Sequence, residues 1–127
     1  MKRVADRISV FVAGARLPTG IINGCASGSY SNLACLSPKG AVRLGRLIQS
    51  NPEKALQQQA HIFEVFDKAI APIRGRYADC ALDKTLVTAG AWGPMTSDVR
   101  WPLSRVPQDE VERIKRIFNE ELPFLFS

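Results

Sequence analysis

The sequence predicts a mixed α/β chain with two strands near its beginning and helices after them, and three observations carry that expectation. The run Ile8-Ser9-Val10-Phe11-Val12 is β-branched and aromatic, apolar on both faces and closed by Ala13-Gly14, the pattern of a buried parallel strand. Ser37-Pro38 and Asn51-Pro52 each set a side-chain acceptor before a first-turn proline, which is how helices start. Beyond residue 37 apolar residues recur at helical spacing.

A second strand is expected over Gly28 to Leu33, and between the strands Leu17, Ile21, Ile22 and Cys25 have helical spacing, with Thr19 as the cap. This reads as strand, helix, strand, a unit whose strands run parallel and cannot make a stable sheet alone. The next helix runs to about Gln49 with Val42, Leu44, Leu47 and Ile48 inward. Another runs to about Ile70, with Ala55, Leu56, Gln59, Ile62, Phe63, Phe66, Ala69 and Ile70 on one stripe. A helix from Asp79 to Ala89 is stopped by Gly90. A loop follows, with Trp101 among its aromatic anchors. The last helix begins near Pro107, carries Asp109 and Glu110 where the helix dipole favours acids, and turns Val111, Ile114, Ile117 and Phe118 inward. The apolar tail Pro123-Phe124-Leu125-Phe126 should dock on the body. Two strands with open edges are a poor end to a compact chain, so the pattern suggests a piece of something larger.

The 127 residues are 46% apolar and 23% charged, and the mean hydropathy is −0.06. This is the profile of one soluble globular domain, and disorder is not expected. No apolar run nears the length of a membrane span, and no signal-type segment follows Met1-Lys2-Arg3, so a cytoplasmic location is expected. Cys25, Cys35 and Cys80 are odd in number and lack C-x-x-C spacing, so they read as free small hydrophobes. The lone His61 excludes sites that need two imidazoles, and no metal site is expected. On its helix His61 reads as a half-exposed residue without a catalytic role.

Charge is unevenly distributed. Residues 1–50 hold seven bases (Lys2, Arg3, Arg7, Arg16, Lys39, Arg43, Arg46) and one acid (Asp6), a net +6, whereas residues 51–127 are close to neutral. Such asymmetry fits a nucleic-acid surface, an anion site, or an edge that meets a missing acidic segment. Few of the bases adjoin and no aromatics interleave with them, which argues against nucleic acid. Gly14, Gly20, Gly24 and Gly28 match neither phosphate-binding glycine motif; their spacing suits a helix packed closely on a sheet. A lysine nucleophile needs a desolvated strand end or pocket. Lys39, Lys54, Lys68, Lys84 and Lys115 all fall on expected helices, and Lys2 precedes the first strand, so none is placed for Schiff-base chemistry. Lys84, between Leu82 and Leu86, reads as a structural residue with its head reaching out to water.

Four motifs then occur in a familiar order: Val10-Phe11-Val12-Ala13-Gly14, Gly24-Cys25-Ala26-Ser27-Gly28-Ser29-Tyr30-Ser31, Lys84 with Gly90, and Arg100-Trp101-Pro102-Leu103. In that order they resemble the C-terminal part of the dihydrodipicolinate synthase and N-acetylneuraminate lyase family, over nearly the whole chain. The resemblance implies an α/β fold: the C-terminal fragment of a TIM (β/α)8 barrel, with the last two strands, followed by a helical C-terminal extension. Residues 1–50 would be the last two strand-helix units and residues 51–127 the extension.

The resemblance also implies class I aldol chemistry, in which a strand lysine forms a Schiff base with pyruvate or another 2-oxo acid, followed by condensation with an aldehyde or the reverse cleavage. It implies a homo-oligomer and no cofactor. The Schiff-base lysine and the proton-relaying tyrosine motif are not in this sequence, so the chain carries no catalytic residue and is expected to be inactive alone. What carries over is a substrate-binding wall: Gly14 at the end of one strand, and Tyr30 and Ser31 on the next. Cys35 where asparagine is common, Trp101 in place of a proline, and Ala15-Arg16 after Gly14 depart from the family pattern and bear on the substrate. The alternatives are a non-catalytic helical interaction module that pairs through its strand edges, or a small basic domain binding nucleic acid or phosphate.

Overall fold

The computed structural model describes residues 8–127; the expectations for Met1 to Arg7, including Lys2, Arg3, Asp6 and Arg7, lie outside them. Strand β1 is Phe11–Ala13 and β2 is Gly28–Tyr30. They pair in parallel, with Phe11 opposite Gly28 and Ala13 opposite Tyr30. The helices are α1 (Leu17–Ile22), α2 (Asn32–Leu36), α3 (Pro38–Ser50), α4 (Pro52–Ile70), α5 (Asp79–Gly90) and α6 (Gln108–Glu121), with single 3-10 turns at Gly14–Arg16, Ala71–Ile73 and Pro123–Leu125.

The barrel-fragment expectation is corrected by this architecture. Among the described residues the chain is mostly helical, and its two strands span three residues each and form a sheet of their own. Ile8 to Val12 is not a strand buried on both faces: Ile8 is 57% and Phe11 54% exposed. The second strand stops at Tyr30 because Leu33 and Leu36, three residues apart, turn their side chains into the helical core, and a helix brings both to one face. The driving force is helix-on-helix burial, and the ribbon rides on it.

The two cap-proline signals work as their chemistry requires. Ser37 Oγ accepts from the Gly40 amide at 3.0 Å, and Asn51 Oδ1 from the Lys54 amide at 3.0 Å, each satisfying a first-turn donor with no partner in its own helix. Thr19 is not a cap; it lies inside α1, and its hydroxyl and amide bond the Gln59 side chain across to α4. The inward stripes shift as well. On α3, Leu44 and Ile48 are buried while Val42 is exposed; on α4 the buried row is Ala55, Ile62, Val65 and Ala69, with Leu56 and Phe63 partly in solvent. On α6, Val111, Ile114 and Phe118 are buried, and the Phe118 ring packs 4.9 Å from that of Phe66. Cys80 is exposed, so it is no packed hydrophobe. Trp101 is 91% exposed and anchors nothing; Trp92 does anchor, donating Nε1–H to the Cys35 carbonyl at 2.7 Å.

Two backbone-level contacts lock the body. The tail docks: Leu125 is fully buried, and its carbonyl accepts from Ser37 Oγ at 2.6 Å and from Arg43 Nη2 at 2.8 Å. Beside it, one residue earlier in the chain, α5 presses on α2 so closely that a Cβ on Gly90 would sit 1.8 Å from the Leu36 carbonyl oxygen. Gly90 therefore does not stop the helix as a left-handed cap; it is the last helical residue, and Ala91 takes the left-handed position at φ 50°.

The ribbon has one covered and one open face. Val12 points toward α1, where Gly20 approaches it: a Cβ on Gly20 would lie 3.4 Å from Val12 Cγ2 and 2.7 Å from the Ala26 Cβ. Phe11 lies over Gly28 on the other face, with its ring 5.5 Å from that of Tyr30.

Glycine substitutions should separate contact from propensity. Gly90→Ala meets carbonyl oxygen and should cost about 3 kcal/mol, the upper range for overpacking. Gly45→Ala, on α3 with open space around it, should stabilise by about 0.5–1 kcal/mol through helix propensity alone. Urea unfolding midpoints of the two variants should move in opposite directions; a Gly90→Ala midpoint equal to that of the parent would contradict the close approach.

Candidate functional site

Ligands of parallel sheets gather outside the carboxyl ends of the strands, and both strands of this chain end at one cavity of about 390 Å3, a volume that suits a small molecule. Gly14, at φ +53°, leaves β1 at its edge, and Asn32, the first residue of α2, stands at the end of β2. The walls are apolar: Ile62, Phe63, Phe66 and Ile70 come from α4, and Leu82 and Leu86 from α5. Arg74, Asp79 and Asp83 supply its charged lining.

Local structure fixes these polar groups. Asn32 Nδ2 donates to Asp83 Oδ1 at 2.6 Å, tying the start of α2 to α5. Arg74 donates to Asp67 at 2.8 Å from the exposed turn after α4, so its charge is partly answered already. Arg16 stacks its guanidinium 5.4 Å from the Phe63 ring centroid, a cation–π contact that orients that wall.

Of the three residues expected to form a substrate wall, only Gly14 lines the cavity. Tyr30 is 79% exposed on the open face of the ribbon beside Phe11. Ser31 precedes α2; its carbonyl accepts from the Ala34 amide at 2.9 Å and its hydroxyl makes no capping bond. Asn32, Arg74 and Asp83 are polar lining residues that the sequence reading did not name. An acid on α5 one position after the inward-facing Leu82 was the available signal for Asp83.

The cavity wall contains no lysine, histidine, tyrosine or cysteine side chain among the described residues, so it can bind but offers no amine or thiol nucleophile. The lysines lie elsewhere: Lys68 pairs with Glu121, and Lys84 reaches outward to donate to the Asp98 carbonyl. His61 is exposed, with Nε2 2.9 Å from the Glu121 carbonyl. Cys35 sits nearby, but burial, reinforced by the negative charge of Asp83, pushes its thiol above the ordinary range and disfavours the nucleophilic thiolate. On the exposed loop, hydrogen bonds from Arg105 and Thr96 hold the Asp98 carboxyl below the usual carboxylate range. No three His, Cys, Asp or Glu side chains gather to hold a metal, and no helix is long and apolar enough to cross a membrane, among the described residues.

Because the fold favours the thiol form of Cys35, that contribution to stability is present below the ordinary thiol pKa and is lost as pH rises through the raised one. Iodoacetamide at pH 8 should therefore label the exposed Cys80 well before Cys35, whose labelling accelerates only at more alkaline pH. Equal rates for the two, read by peptide mass spectrometry, would contradict this placement.

No family model, curated protein or solved structure matches the chain.

Proposed function

We propose that the chain is a partial, non-catalytic relative of the dihydrodipicolinate synthase and N-acetylneuraminate lyase family, acting in the cytoplasm as a helical interaction module whose open ribbon is completed by a lysine-bearing chain of that family. The observation that carries this reading is the uncovered ribbon face, where Phe11 and Tyr30 stand side by side in solvent, 5.5 Å apart between ring centroids. Two large aromatics on a sheet of two strands are an unusual exposure for a finished surface. The order of the four sequence motifs supports the family, and the amine-free cavity at the strand ends supports the absence of chemistry in the chain alone.

In this reading the complete site takes pyruvate or another 2-oxo acid together with an aldehyde. The partner contributes the lysine that forms the Schiff base, and this chain contributes wall. Gly14 presents main chain without a Cβ, and Tyr30 and Ser31 stand at the end of the neighbouring strand. Homo-oligomerisation through the same ribbon is the corresponding self-association.

Incubation of the purified chain with pyruvate and sodium borohydride should give no mass gain, and a reduced pyruvate adduct on any lysine would overturn the non-catalytic reading. A full-length pyruvate aldolase of the family should co-purify with the tagged chain and lose that association in the variant Phe11→Ser/Tyr30→Ser. Association unaffected by that pair of substitutions would remove the ribbon from the account.

A further inference from the structure

We infer that the groove between α3, the start of α4 and the C-terminal tail is a binding site for a small phosphate ester, separate from the cavity at the strand ends. Its cavity is about 400 Å3 and is lined by Arg43, Arg46 and Ser50 from α3, Lys54 and Gln58 from α4, and Phe124 from the tail. An adjoining hollow of about 460 Å3 adds Lys39 and shares Arg43 and Arg46. No Asp or Glu lines either space.

The helix that builds this surface is electrostatically one-sided. Lys39, Arg43 and Arg46 follow one another at spacings of four and three residues, which places them along one face, and α3 carries no acid at all. Like charges at those spacings repel and weaken a helix. Natural helices usually answer such a row with acids one turn away, yet none of these three, nor Lys54, has an ion-pair partner among the described residues. Among the described residues the Lys and Arg that do pair are Lys68 on α4, Arg113 on α6, and Arg74 and Arg105 on loops. The net +6 of the first fifty residues is thus, in its described part, concentrated on this groove.

Arg43 adds an independent sign. Its Nη2 donates to the Leu125 carbonyl at 2.8 Å, which fixes the guanidinium, while its Nε is shut off from solvent and has no acceptor. Held in this way, the Arg43 guanidinium stands fixed in the groove wall, so its charge is already positioned for an anion. The amide of Gln58 provides a neutral donor beside the cations. Arg and Lys around a compact volume suit the tetrahedral, multiply charged oxygen set of a phosphate. Leu44, Leu47 and Phe124 offer an apolar floor for the organic part of the ester. A cavity of this size holds a small ligand; a nucleic-acid strand would need a longer basic track with stacking aromatics.

The test is a titration with inorganic phosphate and with glycerol phosphate at fixed ionic strength, so that general screening is constant, followed by backbone amide NMR. Saturable shifts are expected at Ser50, Lys54 and Gln58, with dissociation constants on the order of 1 mM and tighter for the ester. Arg46→Ala/Lys54→Ala removes two exposed cations that hold no fold contact; it should weaken binding about tenfold, as loss of a charge-assisted hydrogen bond does, and should leave the melting temperature of the free protein unchanged or higher. Undiminished binding in that variant, shifts confined to Gly14 and Asn32, or an equal response to chloride would overturn the site. Tighter binding of a single-stranded oligonucleotide than of glycerol phosphate, with shifts spread beyond the groove, would overturn its assignment to a small ester.

Discussion

The main chain of α5 meets the main chain of α2 at Gly90, where any side chain would collide with the Leu36 carbonyl, and much of the molecule depends on that approach. It holds the fully buried Leu36 against the core and lets α2 turn Leu33 inward. It sets the separation of α2 and α5, and hence the Asn32–Asp83 hydrogen bond that closes one side of the strand-end cavity. Because α2 follows β2 directly, the position of the ribbon is inherited from the same contact. A second lock, the Leu125 carbonyl held by Ser37 and Arg43, pins the tail against α3 and shapes the phosphate groove. The helical body is thus organised by two neighbouring main-chain approaches at the junction of α2 and α3, with Phe118, Ile114 and Ile62 in the buried core.

The strands obey a different balance. A two-stranded parallel ribbon has little stability of its own, and here only one face is packed, through Val12 on α1. The other face leaves Phe11 and Tyr30 in water. The same asymmetry separates the two candidate sites. The strand-end cavity is apolar with acids in its lining, whereas the α3 groove is lined by bases and has no acids.

How far the sequence was legible follows from where the signal is local. The caps at Ser37 and Asn51 are written in adjacent residues, and both act as read. The parallel pairing of the strands and the docking of the tail were also readable, one from the strand-helix-strand order and the other from four apolar residues with no other place to go. Strand length was not. Ile8 to Val12 and Gly28 to Leu33 both have the composition of longer strands, and only the pull of the helical core on Leu33 and Leu36, a long-range effect, turns the second into a helix. Gly90 shows the same limit: as a sequence symbol it marks a helix end, yet its place is decided by Leu36, far away in the chain. Gly14, named through the family resemblance, lines the strand-end cavity, whereas Tyr30 lies away from it. Asp83 and Asn32 meet only through tertiary structure.

The central claim is that the helical body stands alone while the ribbon waits for a partner, and native-state hydrogen exchange tests it most directly. The amides of α5 and α6 should exchange only through global unfolding, and those of Phe11–Ala13 and Gly28–Tyr30 through much cheaper local opening. Ribbon amides as protected as those of α5 in the isolated chain would contradict the account, because they would make the ribbon a finished part of the core.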